Sequence, residues 1–73
     1  MWIHTIQLAG KVGTRTSKSH RYEACVVVSS DERGEGVFSW HHTLAAAKKG
    51  LLRAQQSSWP HAVIRTDIQV VEK

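Results

Sequence analysis

Cysteine is almost missing from this chain. Cys25 is the only one in 73 residues, so no internal disulfide can form. Proline is as scarce, with Pro60 alone. Acids are outnumbered, six against ten Lys and Arg, for a net charge of +4. No apolar run approaches the roughly 20 residues that a membrane-spanning helix needs. The first residues, MWIHTIQLAG, lack a basic stretch followed by a long apolar core, so they do not read as a signal peptide. A lone thiol without an export signal points to a reducing, cytoplasmic setting. A single small domain without staples must live on its core, or borrow stability from a partner or a second copy. Monomer and homodimer both fit.

The charge that is present is unevenly spread. Residues 11–21 carry Lys11, Arg15, Lys18 and Arg21 with no acid, and residues 48–53 carry Lys48, Lys49 and Arg53, also unopposed. Asp31, Glu32 and Glu35 crowd into one short stretch with Arg33. A basic surface favours anionic partners, although plain solubility would also account for it.

The stretch His42–Ser58, HHTLAAAKKGLLRAQQS, has the only sustained helical period. Thr43 suits the N-cap. Leu44, Ala47, Leu51, Ala54 and Ser58 should form the buried stripe. Gly50 and the small stripe residues predict close packing onto a sheet. Trp59–Pro60 should end the helix, because the residue before proline is pushed out of the α region.

The other segments read as strands and turns. Trp2–Leu8 is a strand with Trp2, His4, Ile6 and Leu8 on one face. Ala9–Ser19 has two glycines, many hydroxyls and three cations, and reads as a long polar arm. Arg21–Ser29 is the clearest strand. Its Tyr22, Ala24, Val26 and Val28 should face the core, and Cys25 with Val27 opposite suggests a central strand or a second covered face. Ser30–Glu35 is a turn in which Gly34 can take a positive φ. Gly36–Trp40 is a short third strand, and Ala62–Val71 a long last one, bent near Thr66–Asp67. The expectation is an α+β fold, a two-layer β-β-β-α-β arrangement. Its mainly antiparallel four-stranded sheet would carry one helix on one face. A meander would give the strand order 3-2-1-4, with the last strand parallel to the first and third.

Candidate chemistry is thin. His41–His42 looks like a metal pair, but neighbouring side chains point apart and no third ligand stands at a useful spacing. The five histidines therefore read as surface residues, with no metal and no cofactor. Cys25, mid-strand among valines, reads as packing and not as a nucleophile. The acids cluster in a solvated turn, which does not suit acid–base catalysis. The chain thus reads as a non-enzyme. The residues free to meet a partner are Lys11, Arg15, Lys18 and Arg21 on the arm, and Lys49 and Arg53 on the helix. They could contact phosphate backbones, with Trp2, Trp40 or Trp59 as stacking surfaces if exposed. They could equally frame a protein interface, where tryptophan and arginine are favoured.

Across residues 22–71, a strand ending GVFSW, then HHTLAAAKKGLLRAQ, then AVIRTDIQV resembles in layout small phage-encoded proteins, among them several anti-CRISPR proteins. That resemblance implies a non-catalytic inhibitor in the host cytoplasm. It would block a CRISPR surveillance complex by protein–protein contact, on a subunit surface that handles nucleic acid. Some members are acidic DNA mimics. This basic chain cannot be one, which leaves acidic subunit surfaces or the guide backbone as its contact. The alternative is a basic nucleic-acid-binding domain that contacts phosphates through Lys11–Arg21.

Overall fold

The computed structural model describes residues 1–32 and 34–73; the expected turn Ser30–Glu35 includes Arg33, which lies outside them. The elements run β1 (Trp2–Leu8), β2 (Lys11–Ser17), β3 (Ala24–Ser30), β4 (Gly34–His41), α1 (Leu44–Ser57), β5 (Val63–Arg65) and β6 (Gln69–Glu72). The fold is α+β, but the single four-stranded sheet is replaced by two three-stranded antiparallel sheets, ordered β2-β1-β6 and β4-β3-β5. The order 3-2-1-4 is overturned, and so is a last strand parallel to the first, because β6 runs antiparallel to β1; β5, antiparallel to β3, does run parallel to β4, the expected third strand.

Two segments account for the difference. The first is the supposed arm. Residues Lys11–Ser17 pair with β1 along its whole length, from Leu8↔Lys11 to Trp2↔Ser17. The turn is only Ala9–Gly10, and Gly10 has φ 77, a value open to glycine at little cost. The strand was hidden because it is an edge strand, with threonines on one side and Lys11, Gly13 and Arg15 on the other. A strand with no wholly buried face shows no alternation to read. The second segment is the last strand, which breaks at 66–68. Its first half joins β3, and its second half crosses to join β1.

Arg65 fixes that break. Its Nε donates to Asp67 Oδ1 at 2.7 Å, a second guanidinium nitrogen reaches Asp67 Oδ2, and Nη2 also donates to the Gln7 carbonyl at 3.1 Å. The corner is thereby tied back onto β1.

The core lies on both faces of β3. On one face Cys25 and Val27 pack with Ile6 and Leu8 of β1, helped by Val37, Trp40 and Ile68. On the other, Val26 packs with Ala54 and Ala62, helped by Val28, Leu51 and Trp59. Ala24, Cys25, Val26 and Val27 are all buried. The sequence pattern of Cys25 and Val27 is explained: a second sheet covers them. Burial pushes the Cys25 thiol up to about 11, as expected of a packing residue held away from water.

Helix α1 covers the second face. Thr43 is its N-cap, with Oγ1 accepting the Ala46 N–H at 3.1 Å. The buried helix residues are Ala47, Gly50 and Ala54, with Leu51 half-buried beside them. Leu44 and Ser58, expected in the stripe, are exposed. The face is rotated toward Gly50 because the helix meets β4 there. A Cβ at Gly50 would collide with His41 Nε2, lie 2.8 Å from His41 Cε1 and 3.2 Å from Ser39 Oγ. The β3–β4 turn uses Gly34 at φ 73, as the sequence suggested. Gly13 likewise lets β2 approach β4: a Cβ there would stand 3.1 Å from Val37 Cγ2.

Two stability outcomes follow from these contacts. Gly50→Ala gains up to about 1 kcal/mol of helix propensity but overpacks the His41 contact, which typically costs about 1–3 kcal/mol. Urea denaturation should show a net loss of about 0–2 kcal/mol; a more stable variant would mean that His41 swings aside freely. At the corner, the Arg65 hydrogen bonds hold the Asp67 carboxyl below its ordinary 3.8. A carboxylate held low adds stability above its unfolded value and loses it as pH falls through the folded one. Because Asp67 is exposed and Arg65 only half-buried, Asp67→Asn should cost no more than about 1 kcal/mol at pH 7. The gap to the unmodified chain should close in acid below 3.8; a gap that persists there would show that the ion pair is not its cause.

Candidate functional site

His4 is the starting point, because it is the one polar residue on the apolar face of β1. It is fully buried, which corrects the expectation of a surface histidine. A buried imidazole needs partners for both nitrogens. The Tyr22 N–H donates to Nε2 at 2.9 Å. Nε2 must therefore be bare and Nδ1 protonated, so Nδ1 donates to the Arg15 carbonyl at 3.0 Å. The ring is neutral and fully satisfied.

A cluster of rings grows outward from it. Tyr22 meets His4 edge-on at 5.0 Å, and Trp40 lies 6.1 Å from His4. His42 stacks on Tyr22 at 4.7 Å with 10° between planes. His20 leans on His42 at 4.5 Å. The Arg15 guanidinium sits over Tyr22, 5.4 Å from its centre, in cation–π range. The segment 18–23, between β2 and β3, is held at several points. The His20 N–H donates to Ser17 Oγ at 3.0 Å, the Glu23 N–H to the His41 carbonyl at 3.0 Å, and His42 Nδ1 lies 3.5 Å from the Arg21 carbonyl.

The six expected contact residues are all exposed, and they fall into groups. Arg15 lies against the ring cluster, over Tyr22; Lys18 and Arg21 are exposed on the 18–23 segment that the cluster holds, and His20 and His42 are exposed too. Arg53 belongs to the neighbouring surface: burial first, then the charges of Arg53 and His42, hold His41 below its ordinary 6.5. Lys11 is set apart. It stands four residues from Arg15, about 13 Å along a strand, with its Nζ toward Gly36. Lys49 is exposed on α1 away from the buried helix face. The three tryptophans are half-buried, so none is a free stacking platform. His20, Tyr22 and His42 were not singled out as contact residues. The buried position of His4 in an apolar alternation was the available sign that something polar had to meet it.

The remaining concavities offer less. A cleft of about 470 Å³ at the far end of β3 and α1 is lined by residues that include Asp31, Trp59 and His61. A smaller one of about 230 Å³ lies among Thr5, Gln7, Asp67 and Gln69. Among the described residues no three His, Cys, Asp or Glu side chains are grouped so as to hold a metal, and no helix is long and apolar enough to cross a membrane. No family model, no curated protein and no solved structure matches the chain.

His41 carries a pH consequence for the surface. Its Nε2 lies 2.6 Å from Ser39 Oγ, and the ring is wedged against α1 at Gly50. A histidine whose folded value is lowered binds more protons when unfolded, so stability is complete above the unfolded value and declines as pH falls below it. Thermal melting from pH 8 to pH 5 should therefore show a decline below about 6.5 that is smaller in His41→Gln. An identical decline in the variant would assign it to other groups.

Proposed function

We propose that this chain is a non-catalytic binding module that grips the phosphate backbone of nucleic acid. The contact residues are Arg15, Lys18 and Arg21, with His20 and His42 beside them and Arg53 extending the surface. The observation that carries this reading is the Arg15 guanidinium set over the Tyr22 ring beside a hydrogen-bonded segment that bears exposed Lys18 and Arg21, with no acid between residues 11 and 21. Arginines held by stacking lose little freedom on meeting a phosphate, and their planar forks suit its oxygens. Arg15 is held in this way on Tyr22, and hydrogen bonds hold the backbone of the 18–23 segment.

A second reading keeps the inhibitor expected from the anti-CRISPR-like layout. Two observations favour a protein contact. Helix α1 leaves Leu44 and Leu52 47% and 59% exposed, and Lys48 and Lys49 lie between them. In that reading the helix face would meet a surveillance-complex subunit, and the basic cluster would lie toward acidic side chains or the guide backbone.

Titration with random-sequence single-stranded and duplex probes at two salt levels separates the readings. Three phosphate contacts predict slopes of log affinity on log salt near −2 for single strands and about −3 for duplex. Reversing Arg15, Lys18 and Arg21 to glutamate should abolish binding and leave the melting temperature within a few degrees, because all three side chains are exposed. No binding to either probe at about 150 mM salt, where backbone contact should give roughly 10⁻⁴ to 10⁻⁶ M, would reject the nucleic-acid reading. Interference assays in a CRISPR-bearing host would then decide the inhibitor.

A further inference from the structure

The sequence gives no reason for a histidine at position 4, on a face otherwise made by Trp2, Ile6 and Leu8. Its two hydrogen bonds supply one. Nδ1 holds the Arg15 carbonyl and Nε2 holds the Tyr22 N–H. These two residues bracket the segment that carries Lys18 and Arg21. One buried ring thus spans the mouth of the basic loop. It fixes the strand end that bears Arg15 against the strand entry that bears Tyr22.

From this geometry we infer that His4 is a positioning residue for the binding surface, a role that rests on the nucleic-acid reading above. It never meets the ligand. It sets the spacing between Arg15 and the Lys18–Arg21 backbone, and it seats Tyr22 where both Arg15 and His42 can lie on its ring. Three cations held at a fixed spacing bind a regular row of phosphates without first having to be ordered. Three cations on a loose loop bear that ordering cost at each encounter. The bonding demands one donor and one acceptor on the same side chain. Neutral imidazole meets that demand, and so does the amide of glutamine; leucine fills the space and meets neither half.

The test compares His4→Leu and His4→Gln with the unmodified chain, at a temperature where each is folded. The binding probe is a fluorescein-labelled oligothymidylate of about 15 nucleotides, near the upper site size of small single-strand binders. Amide hydrogen exchange, without any probe, reads residues 18–23. In His4→Leu, exchange at Tyr22 and across 18–21 should quicken by more than tenfold, while β3 and α1 keep their protection. Affinity should fall about tenfold and the salt slope should flatten by about 0.7, as for one lost phosphate contact on a single strand. His4→Gln should restore most of both. If His4→Leu does not fold, His4→Gln decides: affinity within about threefold of the unmodified chain supports the inference. A folded His4→Gln that binds as weakly as Arg15→Glu overturns it. Unchanged affinity and slope in a folded His4→Leu also overturn it, as does unchanged exchange across 18–23. Failure of the unmodified chain to bind any probe is a different result. It removes the nucleic-acid reading itself and, with it, this role for His4.

Discussion

Everything in this fold depends on burying both faces of one strand. Ala24, Cys25, Val26 and Val27 are consecutive and all buried, so β3 must be covered on two sides. The chain covers one face with the three-stranded sheet centred on β1 and the other with α1. Small domains gain little from surface-to-volume scaling, and double coverage of a central strand is an effective use of few apolar residues. The requirement also dictates where side chains must be small. Gly50 lets α1 reach β4, and Gly13 lets β2 reach β4. Ala47 and Ala54 keep the helix axis close to the sheet.

The same requirement explains why parts of the fold were legible and others were not. The β3 segment showed its two covered faces directly, because valine and cysteine stood where a one-sided strand would be polar. The helix, its Thr43 cap and its stop before Pro60 rest on local chemistry, and local chemistry can be read from adjacent residues. Strand β2 could not be read in this way. Its cations sit on the inward side at the sheet edge, where the opposing sheet no longer covers them. Lys11 and Arg15 can run their stems along the protein and keep their charge in water. In the sequence that looks the same as a solvated loop. The divided last strand was half visible, as a bend near Thr66–Asp67. That its halves enter different sheets depends on the Arg65 contact with Gln7, 58 residues away.

The candidate surface was legible as charge and illegible as geometry. Arg15, Lys18 and Arg21 were recognisable as unopposed cations. The seat of Arg15 on Tyr22, the contact of the Arg21 carbonyl with His42, and the separation of Lys11 depend on the β1–β2 register and on how 18–23 returns into β3. His4 lies 11 residues from Arg15 and 18 from Tyr22, so its role exists only once both pairings are made. Histidine in an apolar alternation is a weak sign alone. It becomes informative when the strand is known to be covered, because a covered imidazole must be bonded at both nitrogens.

The basic surface and the core are therefore parts of one construction. The sheet that covers Cys25 and Val27 contributes Ile6 and Leu8 to the core and, two residues earlier on the same face, His4 to the loop. Strand β4 works in the same way on both of its sides. Trp40 packs toward His4 and Tyr22, His41 toward α1 at Gly50, and His42 turns back onto Tyr22. A shift of β4 relative to α1 would move His41 and His42 together, and with them the ring on which Arg15 rests. Changes at the helix–sheet contact should accordingly be felt at the basic surface without any residue of that surface being altered. Gly50 and Arg15 thus stand at two ends of a run of contacts through Trp40, His41 and His42, three adjacent residues of one strand and its exit.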